Sequence, residues 1–284
     1  MSRRGNFRIA MAFLLPAILS VIILRLWPAL LALHQSLIAP HASTYSLDNY
    51  TYIFTDPVFL NSLWVTVLFS IIINPLQIAI SLALALLMNN KLPTTGFWRS
   101  AVLLPVAIPQ SVSAVVWAVA FRPDGLLNSL LHLFGLGPQR FTTSPDQALG
   151  SIMLVVSWIG VGYWMTMLIA GLQDIPKSLY EAATIDGANV WQRFRFVTLP
   201  QLRRPLTFVL VADTVANFLV FAPVNILTKG GPQGSTDLIM NEIYTNAFFN
   251  GDPGSASAAT IVLVALVLVI VLVQFRLMSE RSER

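Results

Sequence analysis

Long apolar runs alternate with short polar segments along the whole chain. A helix rising ~1.5 Å per residue needs ~20 apolar residues to cross a hydrocarbon core of ~30 Å. Six runs meet that requirement, at about 9–31, 61–88, 100–120, 150–172, 206–227 and 256–275. Arg25 interrupts the first. The stretch Ile9–Leu24 covers ~24 Å of helix, which places Arg25 near the outer interface beside Trp27, where its head group can snorkel to water. The run after the basic start MSRRGNFR is too long for a cleaved signal peptide and lacks a small-residue cleavage site. Asn74-Pro75 predicts a kink in the second run, and Pro105 and Pro109 flank a break in the third. The connecting segments are then 34–60, 121–149 (with a short helical piece, Leu126–Phe134) and 228–255 on one side, and 89–99 and 173–205 on the other. The pattern predicts an all-α, polytopic membrane protein, residues 1–284 forming one domain of six spans.

The segment 173–205 is the polar, basic island around which the rest is arranged. Ser178 and Glu181 have the spacing of a capping box, in which each side chain satisfies a free N–H at a helix start. Glu181, Ala182, Ala183 and Thr184 continue that helix, and Asp186-Gly187 ends it, because glycine takes positive φ without strain. A second piece carries Val190, Phe194 and Val197 at i, i+4 and i+7, with Gln192, Arg193 and Arg195 off that stripe, and Leu199-Pro200 closes it. Two small helices joined by a tight turn would make a knob able to enter a groove on another protein.

Composition agrees with a membrane reading: 56% of residues are hydrophobic, 11% charged, and the mean hydropathy is +0.71. Charge adds orientation. Arg122, Arg140 and Lys229 are the basic residues of one set of connections and Arg25 lies in span one; the rest of the 17 lie in the other set and the two ends. The positive-inside rule makes that second side cytoplasmic, with both termini and the 173–205 loop. The basic pI of 9.7 follows from topology and gives no reason to expect nucleic-acid binding.

Glu181-Ala-Ala, three residues, Gly187, nine residues, Val197, one residue and Leu199-Pro200 together resemble the EAA loop of permease subunits of binding-protein-dependent ABC importers. The departure is Val197, where the family usually has Ile. Weaker similarities to the sugar-type branch extend over the chain: Asp48-Asn49-Tyr50, Asp56-Pro57, Ile226 to Pro232, Ile243-Tyr244, Ala247-Phe248 and Gly254 to Ala259. The resemblance implies a type I importer permease fold in a bacterial cytoplasmic membrane. It implies three kinds of protein partner: a second permease subunit (a heterodimer), a dimer of ATPase subunits and an extracytoplasmic solute-binding protein. This chain would bind no cofactor, ATP and Mg being used by the ATPase partner. Glu181, Ala182, Ala183, Asp186, Gly187 and Ala188 would couple to that ATPase, and the cargo would be a sugar or a glycerol-phosphate-like solute.

The residues themselves offer no catalytic or metal site. There is no cysteine, which removes thiol chemistry, disulfides and Cys-based metal sites. His34, His41 and His132 all fall in outer segments without ligand spacing, and no histidine lies in a span to serve as base for a serine nucleophile. The faint likeness to a phosphate-binding loop ending at Lys177-Ser178 fails because Pro176 has no N–H to offer. Asp213 is the only acid within a predicted span, and with Thr214 and Asn217 it shares a helix face. That face either lines a translocation path and binds solute hydroxyls or clasps helices together. Trp158, Tyr163 and Trp164 in span four, beside Gly160, Gly162 and Thr166, could stack on a sugar ring or serve as packing and interface anchors. Asn225, Thr228 and Gln233 are weaker candidates. The rival readings are an ion-coupled secondary transporter or channel acting as a homodimer, for which a lone Asp213 is thin support, and a purely structural subunit.

Overall fold

The computed structural model describes residues 3–39, 44–89 and 94–279, so His41, Lys91, Arg281 and Arg284 lie outside the described residues. Among the described residues the regular secondary structure is helical, apart from an isolated antiparallel bridge between Ile38 and Tyr45. The chain divides into two compact units, Met1–Leu60 with Ile243–Ala265, and Asn61–Glu242 with Leu266–Arg284.

In the first unit, helix Arg3–Val21 continues through a π-helical turn, Ile22–Leu26, into helix Trp27–Ser36. Arg25 sits in the π turn, and the helix runs on to Ser36, past the end expected at 31. Asp48-Asn49-Tyr50 proves to be structural. Asn49, 1% exposed, donates from Nδ2 to the carbonyls of Ser36 (3.0 Å) and Ile38 (2.8 Å), while the Tyr50 hydroxyl meets Ser36 Oγ at 2.8 Å. These bonds hold a helix, Asp48–Thr55, in a segment expected to be turns. Asp56 then caps the next helix, its Oδ1 accepting from the N–H of Val58 at 3.1 Å. Gly254 passes so close to Asn49 that a Cβ there would lie 2.9 Å from Asn49 Oδ1.

The second unit is organised by the helix Pro145–Gln173, which covers span four and is the most buried of the candidate spans. Span two lies in helix Pro57–Met88, which continues through Asn74-Pro75. Its end is covered by Arg99, whose guanidinium donates to the Met88 carbonyl. The third run is not a single straight span. Thr95–Leu103 leads into a 3₁₀ turn, Leu104–Ala107, and then Ile108 and Pro109 are extended before Gln110–Ala120. The two arms differ in direction by 102°. Pro109 lacks the N–H that would continue the ladder, and proline disfavours the helical conformation in the residue before it. Span five is also divided, Arg203–Phe218 and Ala222–Leu227 being separated by a break that was not expected. The 228–255 segment, read as a Gly- and Pro-rich loop, contains a helix, Ile239–Phe248. The last helix, Pro253–Ser279, covers span six. Among the described residues, five helices are thus long and apolar enough to cross a membrane, or six with the bent pair.

Two glycines set helix separations in the second unit. A Cβ on Gly162 would lie 2.2 Å from the Val102 carbonyl oxygen, and one on Gly171 would lie 2.6 Å from the Pro205 ring. Side chains at those positions would force neighbouring elements apart. Between them, Trp164, Met165, Leu168, Leu172, Leu202 and Val209 form one apolar core, and Phe69, Ile73, Ile152, Val224 and Leu238 contribute to another.

Candidate functional site

The knob forms, with changes in its details. Its first helix is Lys177–Ile185, two residues longer at the start than a Ser178 cap allows. Pro176 is the N-cap residue, and no side chain caps it. Ser178 therefore lies inside the first turn, and the expected box with Glu181 is absent. The helix end is as anticipated. Gly187 has φ +75°, the Ala188 N–H reaches the Ala183 carbonyl at 2.9 Å, and the Gly187 N–H reaches that of Thr184 at 3.1 Å. This paired pattern satisfies two carbonyls that the helix would otherwise leave free. The capping box belongs to the second piece. Asn189 Oδ1 accepts from the Gln192 N–H at 2.9 Å, and Gln192 Oε1 accepts from the Asn189 N–H at 2.8 Å.

Helix Val190–Arg193 next passes into a π turn, Phe194–Thr198, and continues as Leu199–Gln201. Leu199-Pro200 does not close the segment, because Pro200 sits at the start of a new turn, where a missing N–H costs nothing. The π turn also shifts the register, so Val190, Phe194 and Val197 do not form one buried stripe. Val190 is 74% exposed, and Thr198 and Leu202 are buried instead. The Tyr180 hydroxyl meets Thr198 Oγ1 at 3.0 Å and ties the two arms together. Ile185, Val190, Trp191 and Phe196 are consequently all exposed, at 86%, 74%, 66% and 74%. Glu181, Ala182, Asp186 and Gly187 are exposed, and Ala183 and Ala188 half-buried.

The second site is a polar seam among span two, span five and the last helix. Asn217 Nδ2 donates to Asn74 Oδ1 at 2.7 Å and to Gln77 Oε1 at 3.0 Å. Asn74 Nδ2 and Gln274 Nε2 donate to Thr214 Oγ1 at 3.0 and 2.8 Å, and that hydroxyl donates to the Leu210 carbonyl at 2.7 Å. Asp213, Thr214 and Asn217 are each no more than 2% exposed. The Asp213 carboxyl has hydrogen bonds with the side chains of Trp164 and Asn217, and its Oδ2 has no partner. Clasp and cavity coexist here, since Asp213 and Asn217 also border a cavity of about 70 Å³ with Gln77, Gln110, Trp164 and Gly160. Such a space is far smaller than the ~300–1,000 Å³ of most ligand pockets and has room for one small polar group. No Lys, Arg or His lines it.

Of the span-four aromatics, Trp164 alone reaches this cavity. Tyr163 stacks edge-on against it at 4.8 Å, and Trp158 packs on Trp117 at 5.6 Å; they are 40% and 37% exposed. Gln77, Gln110 and Gln274 were not singled out from the sequence, and Asn74 only as part of a kink, although a polar side chain in an apolar run was the signal that exposed Asp213. Asn225 and Thr228 are used structurally, through Asn241 Oδ1 (3.2 Å) and Thr236 Oγ1 (2.7 Å), while Gln233 lies in a tight loop at φ +53°. In the same 228–255 segment, burial pushes the Asp237 carboxyl above its ordinary pKa, although hydrogen bonds with Asn241 and Glu242 oppose the shift. Among the described residues, no cluster of three or more His, Asp or Glu side chains could hold a metal ion.

Residues 7–282 match the family described as binding-protein-dependent transport system inner membrane component. The chain is 33% identical over 275 residues to the sn-glycerol-3-phosphate transport system permease protein UgpA of Brucella abortus, covering 94% of each. It is 33% identical over 255 residues to the trehalose/maltose transport system permease protein MalF of Thermococcus litoralis, covering 88% of this chain and 86% of that one. A solved bacterial alginate ABC transporter, in complex with alginate pentasaccharide-bound periplasmic protein, has a chain of the same fold. Its TM-score is 0.85 at 24% identity, over 97% of this chain and 96% of that one. The secondary-transporter alternative finds no support in these relationships. With its apolar helices, its divided third run and its knob between spans four and five, the chain belongs to the inner-membrane permease components of binding-protein-dependent transport systems.

Proposed function

We propose that this chain carries an uncharged, hydroxyl-bearing solute, a sugar or polyol, through a path that passes Asp213 and Asn217. Its exposed knob drives the movement by docking on a separate ATPase subunit. The reading rests chiefly on four large apolar side chains, Ile185, Val190, Trp191 and Phe196, that the knob holds out to its surroundings. Exposed apolar clusters of this kind mark protein–protein contacts. Glu181, Ala182, Ala183, Asp186, Gly187 and Ala188 shape the docking face. ATP-driven closure of the ATPase dimer would move the knobs of this chain and of a second, distinct permease, and the pair would rock to open the path to alternate sides. The charge pattern supports cytoplasmic termini and a cytoplasmic knob.

Relatives of this chain are named for sn-glycerol-3-phosphate and for trehalose and maltose. The cavity wall favours the second kind. An anionic ester would bring its charge to a buried carboxyl with no cation beside it, whereas hydroxyl groups can donate to the free oxygen.

Purification of the tagged chain from its native membrane in mild detergent tests the assembly. An ATPase subunit, a second permease and an external binding protein are expected to accompany it; recovery of the chain alone or only with itself overturns the importer reading. Uptake of trehalose and of sn-glycerol-3-phosphate by the wild-type and Asp213→Ala importers tests the path. Trehalose is expected to be favoured and its uptake to fall in the variant, and normal uptake by a correctly assembled variant would remove Asp213 from the path.

A further inference from the structure

The end of span five that adjoins the knob shares a groove with the end of the last helix. Phe208, Val211, Ala212, Phe275 and Met278 form most of its wall, with Thr207 and, at the start of span five, Arg203 and Arg204; the volume is about 480 Å³. Phe208 is 58% and Phe275 50% exposed, so aromatic surface lies open along it. Among the described residues, no acidic side chain lines the groove. Among the described residues, neither guanidinium has a hydrogen-bond or ion-pair partner. A second hollow on the Asp174 side of the same two arginines, about 810 Å³, is bordered by Gln201 and Pro200 of the knob.

We propose that the groove is a binding site for an anionic glycerophospholipid, its phosphate held by Arg203 and Arg204 and an acyl chain lying along Phe208, Val211, Ala212 and Phe275. Free phosphate would pair the guanidinia and leave the apolar wall uncovered. A zwitterionic lipid would cover the wall but bring no net charge to two unpaired cations. Only an anionic lipid matches both, and basic clefts between membrane helices at the headgroup level bind such lipids. A bound lipid would steady the point where the knob's last turn, Leu199–Gln201, enters span five. Transmission of motion through that junction would then depend on the lipid. The site requires only that the chain lie in a bilayer, and stands whatever solute is carried.

The test uses the chain with the subunits that accompany it, in nanodiscs of phosphatidylcholine containing a minor fraction of phosphatidylglycerol. Native mass spectrometry then reads which lipid stays bound. Phosphatidylglycerol is expected to be retained several-fold over its share of the bilayer. The R203Q/R204Q double variant is expected to lose that preference, while Arg195→Gln, on the exposed part of the knob, keeps it. Ala212→Trp fills the groove with both arginines in place and is expected to lose retention too, which decides the matter should R203Q/R204Q fail to assemble. The chain has no native cysteine, so Ala212→Cys can carry a single photo-activated cross-linker, expected to capture lipid and no protein subunit. Equal retention of the two lipids, undiminished retention in R203Q/R204Q and Ala212→Trp, or cross-linking of Ala212→Cys to another protein subunit would each overturn the proposal.

Discussion

Within the spans, Asn74, Gln77, Asp213, Thr214 and Asn217 lie buried against one another, while on the knob Ile185, Val190, Trp191 and Phe196 face outward. Each region reverses the arrangement its surroundings would select. A bilayer penalises buried polar groups unless they bond one another or a ligand, and water penalises exposed apolar ones unless a partner covers them. The seam answers its penalty largely within the chain, through the hydrogen bonds of Asn217, Asn74 and Gln274, and leaves over Asp213 Oδ2 and Gln274 Oε1. The knob has no such internal answer, since its rigid turn and capping box fix the backbone and leave the apolar side chains exposed. The seam is therefore a stability element that also borders a small cavity, and the knob is an apolar surface left uncovered among the described residues.

The contrast is broken most severely at Gly187. A Cβ there meets open space, so any effect of substitution comes from the backbone at φ +75°, which costs a β-branched residue roughly 1–3 kcal/mol. Gly187→Val is expected to lower coupled transport at least about tenfold while the spans still insert, whereas Gly187→Asn, tolerated in this conformation, keeps most of it. Uptake and ATP hydrolysis measured together would show the two parting company only in the valine variant. Equal behaviour of both variants would mean that the turn geometry is unimportant.

At the seam, Asn217→Leu removes the donor to both Asn74 and Gln77 and leaves two buried acceptors unpaired, at about 1–3 kcal/mol for each. The variant should unfold at a lower temperature in detergent than a conservative surface variant; an unchanged midpoint would show that these bonds are replaceable. The smallest effect is expected at Asn189→Ala, which loses the capping box for about 1 kcal/mol. Amide exchange should rise at 190–193 alone, leaving the seam protected. Faster exchange in span five as well would join the two regions into one cooperative element.

Much of the knob was readable because a polar insert between apolar runs has few places to go. Gly187 ended its helix as read, since only backbone chemistry was at stake. The misplaced cap at Ser178 and the lost stripe at Val190 have a common cause. Both depended on where a helix begins or changes pitch, which Pro176 and the π turn at 194–198 decided. Tyr163 and Trp158 were not separable from Trp164 by sequence, because three aromatics within seven residues differ only in what each faces.

Hydropathy alone determined that this is a helical membrane protein with about six apolar runs, because burial in hydrocarbon demands length and composition that any reader of the chain can count. Local chemistry likewise determined the tight turn at Gly187 and the proline break near 105–109. Tertiary structure decided that Asn74, Gln77 and Gln274 would meet Thr214 and Asn217, that the third run would turn through 102°, and that Asp213 would keep one oxygen free. The hydrogen-bonded meetings depend on partners 60 to 143 residues away in the chain, and no local pattern carries that information.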